Sequence, residues 1–109
     1  TESDLRRAQA LAEKAGQAQP NSPEVGAVLG WVYYRNGREN DAHNLLRAAA
    51  AQSRRNPLSL FLYGRMLLAE QKNEEAKQIA ELLKRRLEQP GLFVFRPAAR
   101  RWVEKVLNG

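Results

Sequence analysis

Few residues in this chain have chemical reach: there is one histidine, His43, two aspartates, Asp4 and Asp41, and no cysteine. The absence of cysteine removes disulfides, thiolate metal sites, iron–sulfur clusters and cysteine nucleophiles together. His43 stands beside Asn40, Asn44 and Arg47, on what would be the outer face of a helix. Metal binding would need further ligands and general-base work an oriented partner in a cleft, so His43 reads as a solvated surface residue. Asp41, just before Ala42, reads as an acid placed at a helix N-terminus. No carboxylate pair, glycine-rich phosphate loop or nucleophile motif occurs. The expectation is a protein that is not an enzyme and carries no cofactor or metal.

The other candidates are aromatic and basic. The stretch Val25, Ala27, Val28, Leu29, Trp31, Val32, Tyr33, Tyr34 is apolar nearly all round a helix, so it has two contact surfaces. If Leu29, Gly30 and Tyr33 face a partner helix, then Ala27, Trp31, Tyr34 and Arg35 must face something else. A second stretch repeats the arrangement as Leu58, Phe61, Arg65, Leu68 and Ala69. The competing reading is that Trp31 and Phe61 pack against neighbouring helices. Lys84-Arg85-Arg86 and Arg100-Arg101 are the basic clusters that could meet nucleic acid, but they fall late in the chain, on expected convex or capping faces.

The elements that position these residues follow from composition and period. In 109 residues, 43% are hydrophobic and 28% charged, with alanine, leucine, arginine and glutamate abundant and no sustained period-two alternation, which is the profile of an all-α chain. The net charge of +6, from 18 basic against 12 acidic residues, favours an acidic partner, although pairs such as Glu81 with Arg85, and Glu70 and Glu74 with Lys77, read as solvated helix faces. No run approaches the ~18 apolar residues of a membrane span, and Thr-Glu-Ser-Asp is unlike a signal peptide. The chain reads as soluble, with cytoplasm and periplasm both open.

Sliding the sequence on itself finds a register of 34 residues. Pro23 meets Pro57, Gly30 meets Gly64, and Ala8 meets Ala42 and Ala76; Leu11, Leu45 and Ile79 coincide, as do Ala15, Ala49 and Leu83. Glycine inside a helix costs about 0.5–1 kcal/mol relative to alanine, so Gly30 and Gly64 predict close helix approach, against Ala42 and Ala76 across each hairpin. Breaks at 19–23, Asn36-Gly37, Asn56-Pro57 and Pro90-Gly91 divide the chain into helices over 3–18, 23–36, 38–54, 57–70, 73–88 and 96–107. Leu11, with Ala8, Ala12 and Ala15, marks the apolar face of the first. Trp102, Val103, Val106 and Leu107 mark that of the last.

Gly26-x2-Leu29-Gly30-x2-Tyr33 with Ala42-x3-Leu46, then Leu60-x2-Tyr63-Gly64-x2-Leu67 with Ala76-x3-Ala80, resemble the Trp-x2-Leu-Gly-x2-Tyr and Ala-x3-Phe pattern of the tetratricopeptide repeat. The resemblance covers roughly 4–89; Arg54 and Glu88 stand where that pattern closes on proline. It implies a right-handed stack of antiparallel hairpins of about six helices over 1–109: the second helix of an incomplete repeat at 3–18, repeats at 23–56 and 57–89, and a capping helix at 96–107. In that register the start points to the C-terminal part of a longer array.

The resemblance further implies that Glu24, Ala27, Trp31, Tyr34, Arg35, Leu58, Phe61, Arg65 and Leu68 line a concave groove that holds a peptide or helix of another protein. With Arg35 and Arg65 in it, the expected ligand is an apolar segment carrying an acidic residue. The alternatives are RNA or polyanion binding through the basic faces, and a structural segment that associates with itself.

Overall fold

A computed structural model of the chain describes residues 2–52, 56–91 and 93–109. The turns explain the rest of the architecture. Helix α2 (Pro23–Arg35) begins where the Ser22 hydroxyl accepts a hydrogen bond from the Val25 N–H at 3.2 Å, and proline supplies the first helical φ. One register later, α4 (Pro57–Ala69) begins the same way, with the Asn56 side chain accepting from the N–H groups of Leu58 and Ser59 at 2.9 and 3.2 Å.

The helix ends repeat as closely. Arg38 N–H donates to Tyr33 C=O at 2.9 Å and Gly37 N–H to Tyr34 C=O at 3.1 Å, the paired bonds of a Schellman stop. Lys72 N–H to Leu67 C=O at 2.9 Å and Gln71 N–H to Leu68 C=O at 3.0 Å reproduce it 34 residues later. Both stops need one left-handed residue. The first uses Gly37 at φ 84°, the second Gln71 at φ 62°. The two short reversals lead into α3 (Glu39–Gln52) and α5 (Asn73–Leu87). Helix α1 (Glu2–Ala18) precedes the hairpins and α6 (Arg96–Asn108) follows them, giving six helices among the described residues. The predicted helix end at 53–54, including Arg54, lies outside the described residues.

Two apolar clusters hold the hairpins. The first joins Ala27 and Tyr33 of α2, Ala42, Leu46 and Ala49 of α3, and Leu62 and Met66 of α4. The second joins Leu60 and Phe61 of α4, Leu83 and Leu87 of α5, and Ala99 and Val103 of α6. Ser59, fully buried, donates its hydroxyl to the Pro23 carbonyl at 3.4 Å and so ties the starts of α2 and α4. The Arg96 guanidinium donates to the carbonyls of Leu87 and Gly91, which fastens the start of α6 to the open end of α5.

Close approach does occur at both glycines, with different neighbours from those expected. A Cβ on Gly30 would stand 2.9 Å from Leu46 Cγ and 3.1 Å from Leu45 Cβ, so its contact is a turn beyond Ala42. A Cβ on Gly64 would collide with the Trp102 ring and stand 3.0 Å from Ile79 Cγ2. The second glycine therefore makes room for α6 as well as for α5.

Three further expectations are corrected. Leu11 is 64% exposed and Ala15 is exposed, because α1 turns Leu5, Gln9, Ala12, Glu13 and Gly16 inward, toward α2. Tyr33 donates its hydroxyl to Glu13 Oε2 at 2.9 Å, and the Asn36 amide donates to Gln9 Oε1 at 2.7 Å, so polar residues take part in that seam. His43 is not a solvated surface residue: it is half-buried, with Nε2 2.8 Å from Glu70 Oε1 and 2.9 Å from Oε2, bridging the start of α3 to the end of α4. One ring nitrogen faces both oxygens, so a single proton serves the pair and Oε1 has no hydrogen bond of its own. Glu70 is thereby drawn from the solvated face it was assigned to, whereas Glu74 does reach Lys77, at 3.9 Å.

The register-matched turns carry a direct prediction. Gln71→Gly relieves a left-handed side chain and raises stability by about 1 kcal/mol, whereas Gly37→Ala lowers it by a similar amount, both read by urea unfolding. Equal destabilisation by the two would show that the turns are not equivalent.

Candidate protein-binding groove

The repeat places equivalent positions of α2 and α4 side by side, and the site is built from that adjacency. Trp31 and Arg65 are 34 residues apart, and the Arg65 guanidinium carbon lies 4.5 Å from the centre of the Trp31 ring. The same carbon lies 5.3 Å from the Phe61 ring centre, so the cation rests on two aromatic faces. Tyr34 stacks at a tilt on Trp31, with ring centres 5.7 Å apart.

Between these helices and the segment joining α5 to α6 is a hollow of about 240 Å³. Its walls are Val28, Trp31, Leu58, Phe61, Leu62, Arg65 and Phe95. Of the nine expected groove residues, Trp31, Leu58, Phe61 and Arg65 meet there. Phe61 is only 6% exposed, because Trp102 of α6 covers it edge-on at 6.1 Å. It gives the hollow a floor and the second cluster a member, so the packing reading of this aromatic holds.

The other five lie apart from the hollow. Ala27 is fully enclosed in the first cluster and is corrected from groove to core, because α2 and α4 approach closely enough there to exclude any ligand. Glu24 is exposed in the first turn of α2, and Leu68 is half-buried beyond the hollow. Arg35, exposed in the last turn of α2, borders a separate polar recess with Glu2, Arg6, Gln9 and Asn36. Tyr34 packs on the first cluster.

Val28, Leu62 and Phe95 line the hollow but were not among the residues expected there; Leu62 also belongs to the first cluster. Val28, 40% exposed, was counted with the apolar helix but not with its outward stripe. Phe95, 51% exposed, precedes α6, and its ring meets Phe93 at 6.0 Å. Phe93 packs against the second cluster and thereby anchors the segment that presents Phe95. The usable signal was an apolar run at 92–95 in a stretch that proline and glycine mark as non-helical.

Burial lowers the pKa of Arg65, and repulsion from Arg35 lowers it further. Burial raises the phenol of Tyr34, with Glu70 and then Glu39 adding to the effect. Tyr33 is raised chiefly by burial and next by its hydrogen bond to Glu13. Among the described residues, no three His, Cys, Asp or Glu side chains gather as a metal would require, and no helix is long and apolar enough to cross a membrane.

Paired helices with matched caps, matched stops and stacked equivalent positions define a helical-hairpin repeat scaffold of tetratricopeptide type. The family model described as anaphase-promoting complex, cyclosome, subunit 3 matches residues 2–82, and the chain belongs to that tetratricopeptide-type family. No curated protein and no solved structure matches the chain. Families of this type are protein-interaction scaffolds and are generally not enzymes.

Raised phenol values set a sign for the alkaline limb of stability. The protonated phenols are favoured by the fold, so their stabilisation is complete below the ordinary value of 10.0 and is lost as pH rises through the higher folded values. Unfolding free energy is therefore expected to fall as pH climbs above 10.0, and to fall less steeply in the double variant Tyr33→Phe, Tyr34→Phe. An unchanged slope would assign the decline to other groups.

Proposed function

We infer that the chain holds a helix or an extended segment of a partner protein in the hollow between α2, α4 and the α5–α6 segment. The supporting observation is where apolar surface is left uncovered. Of the large apolar side chains that stand exposed, Val28 and Phe95 both flank this hollow, and Val94, 79% exposed, adjoins Phe95. Apolar surface gathered in one concave place is the mark of an interaction site, whereas scattered single residues are ordinary. The family supports a protein partner, since it takes its name from a subunit of a multiprotein complex.

The polyanion reading has weaker support. Lys84 and Arg100 do share a recess, of about 200 Å³, but Glu88 and Glu104 line it with them. Mixed charge of this kind suits a solvated helix face better than a phosphate track.

A random peptide library selected on the chain tests the proposal. Selected peptides are expected to lose at least about tenfold in affinity on Val28→Glu and on Phe95→Ala, both at exposed positions that leave the helices intact. Peptides indifferent to both, yet sensitive to Leu11→Ser on α1, would place binding elsewhere.

A further inference from the structure

Arg65 is in an unusual position for a cation. It is half-buried on the faces of Trp31 and Phe61, at 4.5 and 5.3 Å, and no carboxylate among the described residues lies within ion-pair distance of it. The acids of the neighbouring elements are engaged or turned elsewhere. Glu70 pairs with His43 and Glu39 acts on Tyr34, while Glu24 is exposed at the far end of α2. The charge felt by Arg65 is instead that of a second cation, Arg35.

A guanidinium stripped of part of its water, within the field of another cation and lacking an anion, is costly to the free protein. Ring faces offset part of that cost and fix the plane of the fork, leaving its N–H donors free for a planar acceptor. The same side chain is a wall of the hollow, beside Val28, Leu58 and Phe95. Whatever occupies the hollow therefore brings an apolar group and a negative charge close together. A nucleotide would offer a flat base suited to stacking on an aromatic ring, whereas the aliphatic walls Val28, Leu58 and Leu62 suit an apolar side chain, and an amphipathic peptide brings such a side chain together with a carboxylate.

The geometry points to Arg65 as the charge anchor of the groove: it receives the side-chain carboxylate of an aspartate or glutamate lying within about one helical turn, ~5 Å along the axis, of the apolar residue that enters the hollow. This rests on the groove reading above and adds the chemistry of its ligand. Trp31 and Phe61 serve as the platform that orients the guanidinium, and Arg35 strengthens the demand for an anion.

Peptides selected from the library on the parent chain supply the probe. They are expected to carry an acidic residue near a large apolar one, and Arg65→Gln should weaken them about tenfold or more. Replacing the peptide's acid by its amide should weaken binding equally on the parent and have no further effect on the Arg65→Gln protein. Reselection on Arg65→Glu should exchange the acid for lysine or arginine. Peptides that depend on Val28 and Phe95 but lack an acid, or ignore Arg65→Gln, would overturn the anchor and leave the groove standing. An absence of peptides dependent on Val28 and Phe95 would overturn both. An oligouridylate that binds in place of the peptides, and is lost on Arg65→Gln, would overturn the carboxylate in favour of phosphate.

Discussion

The structure depends on α4 being packed on nearly every side, with the stripe of Leu58, Arg65, Leu68 and Ala69 left partly open. Seven of its thirteen residues are buried, Ser59, Leu60, Phe61, Leu62, Gly64, Met66 and Leu67, and they spread round most of the helix. Leu62 and Met66 enter the first apolar cluster while Leu60 and Phe61 enter the second. At ~1.5–3 kcal/mol for each large side chain taken from water, one short helix couples two hairpins that would otherwise be stabilised separately. Such a helix cannot shift without disturbing both clusters. It therefore sets the spacing of α2 on one side and of α5 and α6 on the other.

The groove is a consequence of that spacing. Because Gly64 has no side chain, Trp102 of α6 can lie over α4 and cover Phe61 from outside. Phe61, held in that way, shares the Arg65 guanidinium with Trp31 from the neighbouring repeat. The polar contacts of Arg96 with the end of α5, and the packing of Phe93 on the second cluster, bring Phe95 to the rim. Glycine, tryptophan, phenylalanine and arginine thus form a chain of contacts running from an intrahelical gap to the hollow proposed as the binding site.

Much of this was legible in the sequence because it depends on local chemistry that repeats. Ser22-Pro23 and Asn56-Pro57 are helix starts wherever they occur, and Asn36-Gly37 is a stop. Gln71 could be placed in the second stop only through the register, since glutamine by itself gives no left-handed signal. What remained hidden depends on which neighbour a face meets. Leu11, expected inside, is exposed because α1 meets α2 with a face that includes Gln9 and Glu13. Ala27, expected on the groove, is enclosed in the first cluster with residues of α3 and α4. His43 looked solvated until the end of α4 brought Glu70 against it. Within the groove, the stripe of Trp31, Phe61 and Arg65 could be read from period and resemblance. Its third wall, at Phe95, comes from a non-helical segment for which period offers no rule.

Uncovered apolar surface and an unanswered cation on this repeat scaffold together make the site proposed for a partner segment. Methyl-labelled NMR spectra, recorded while a library-selected peptide is titrated in, address it at individual positions. The account predicts that the methyl signals of Val28, Leu58 and Leu62 move with the binding curve while those of exposed Leu11 on α1 and enclosed Leu46 on α3 stay in place. Movement at Leu11, with Val28 and Leu58 unchanged, would contradict it.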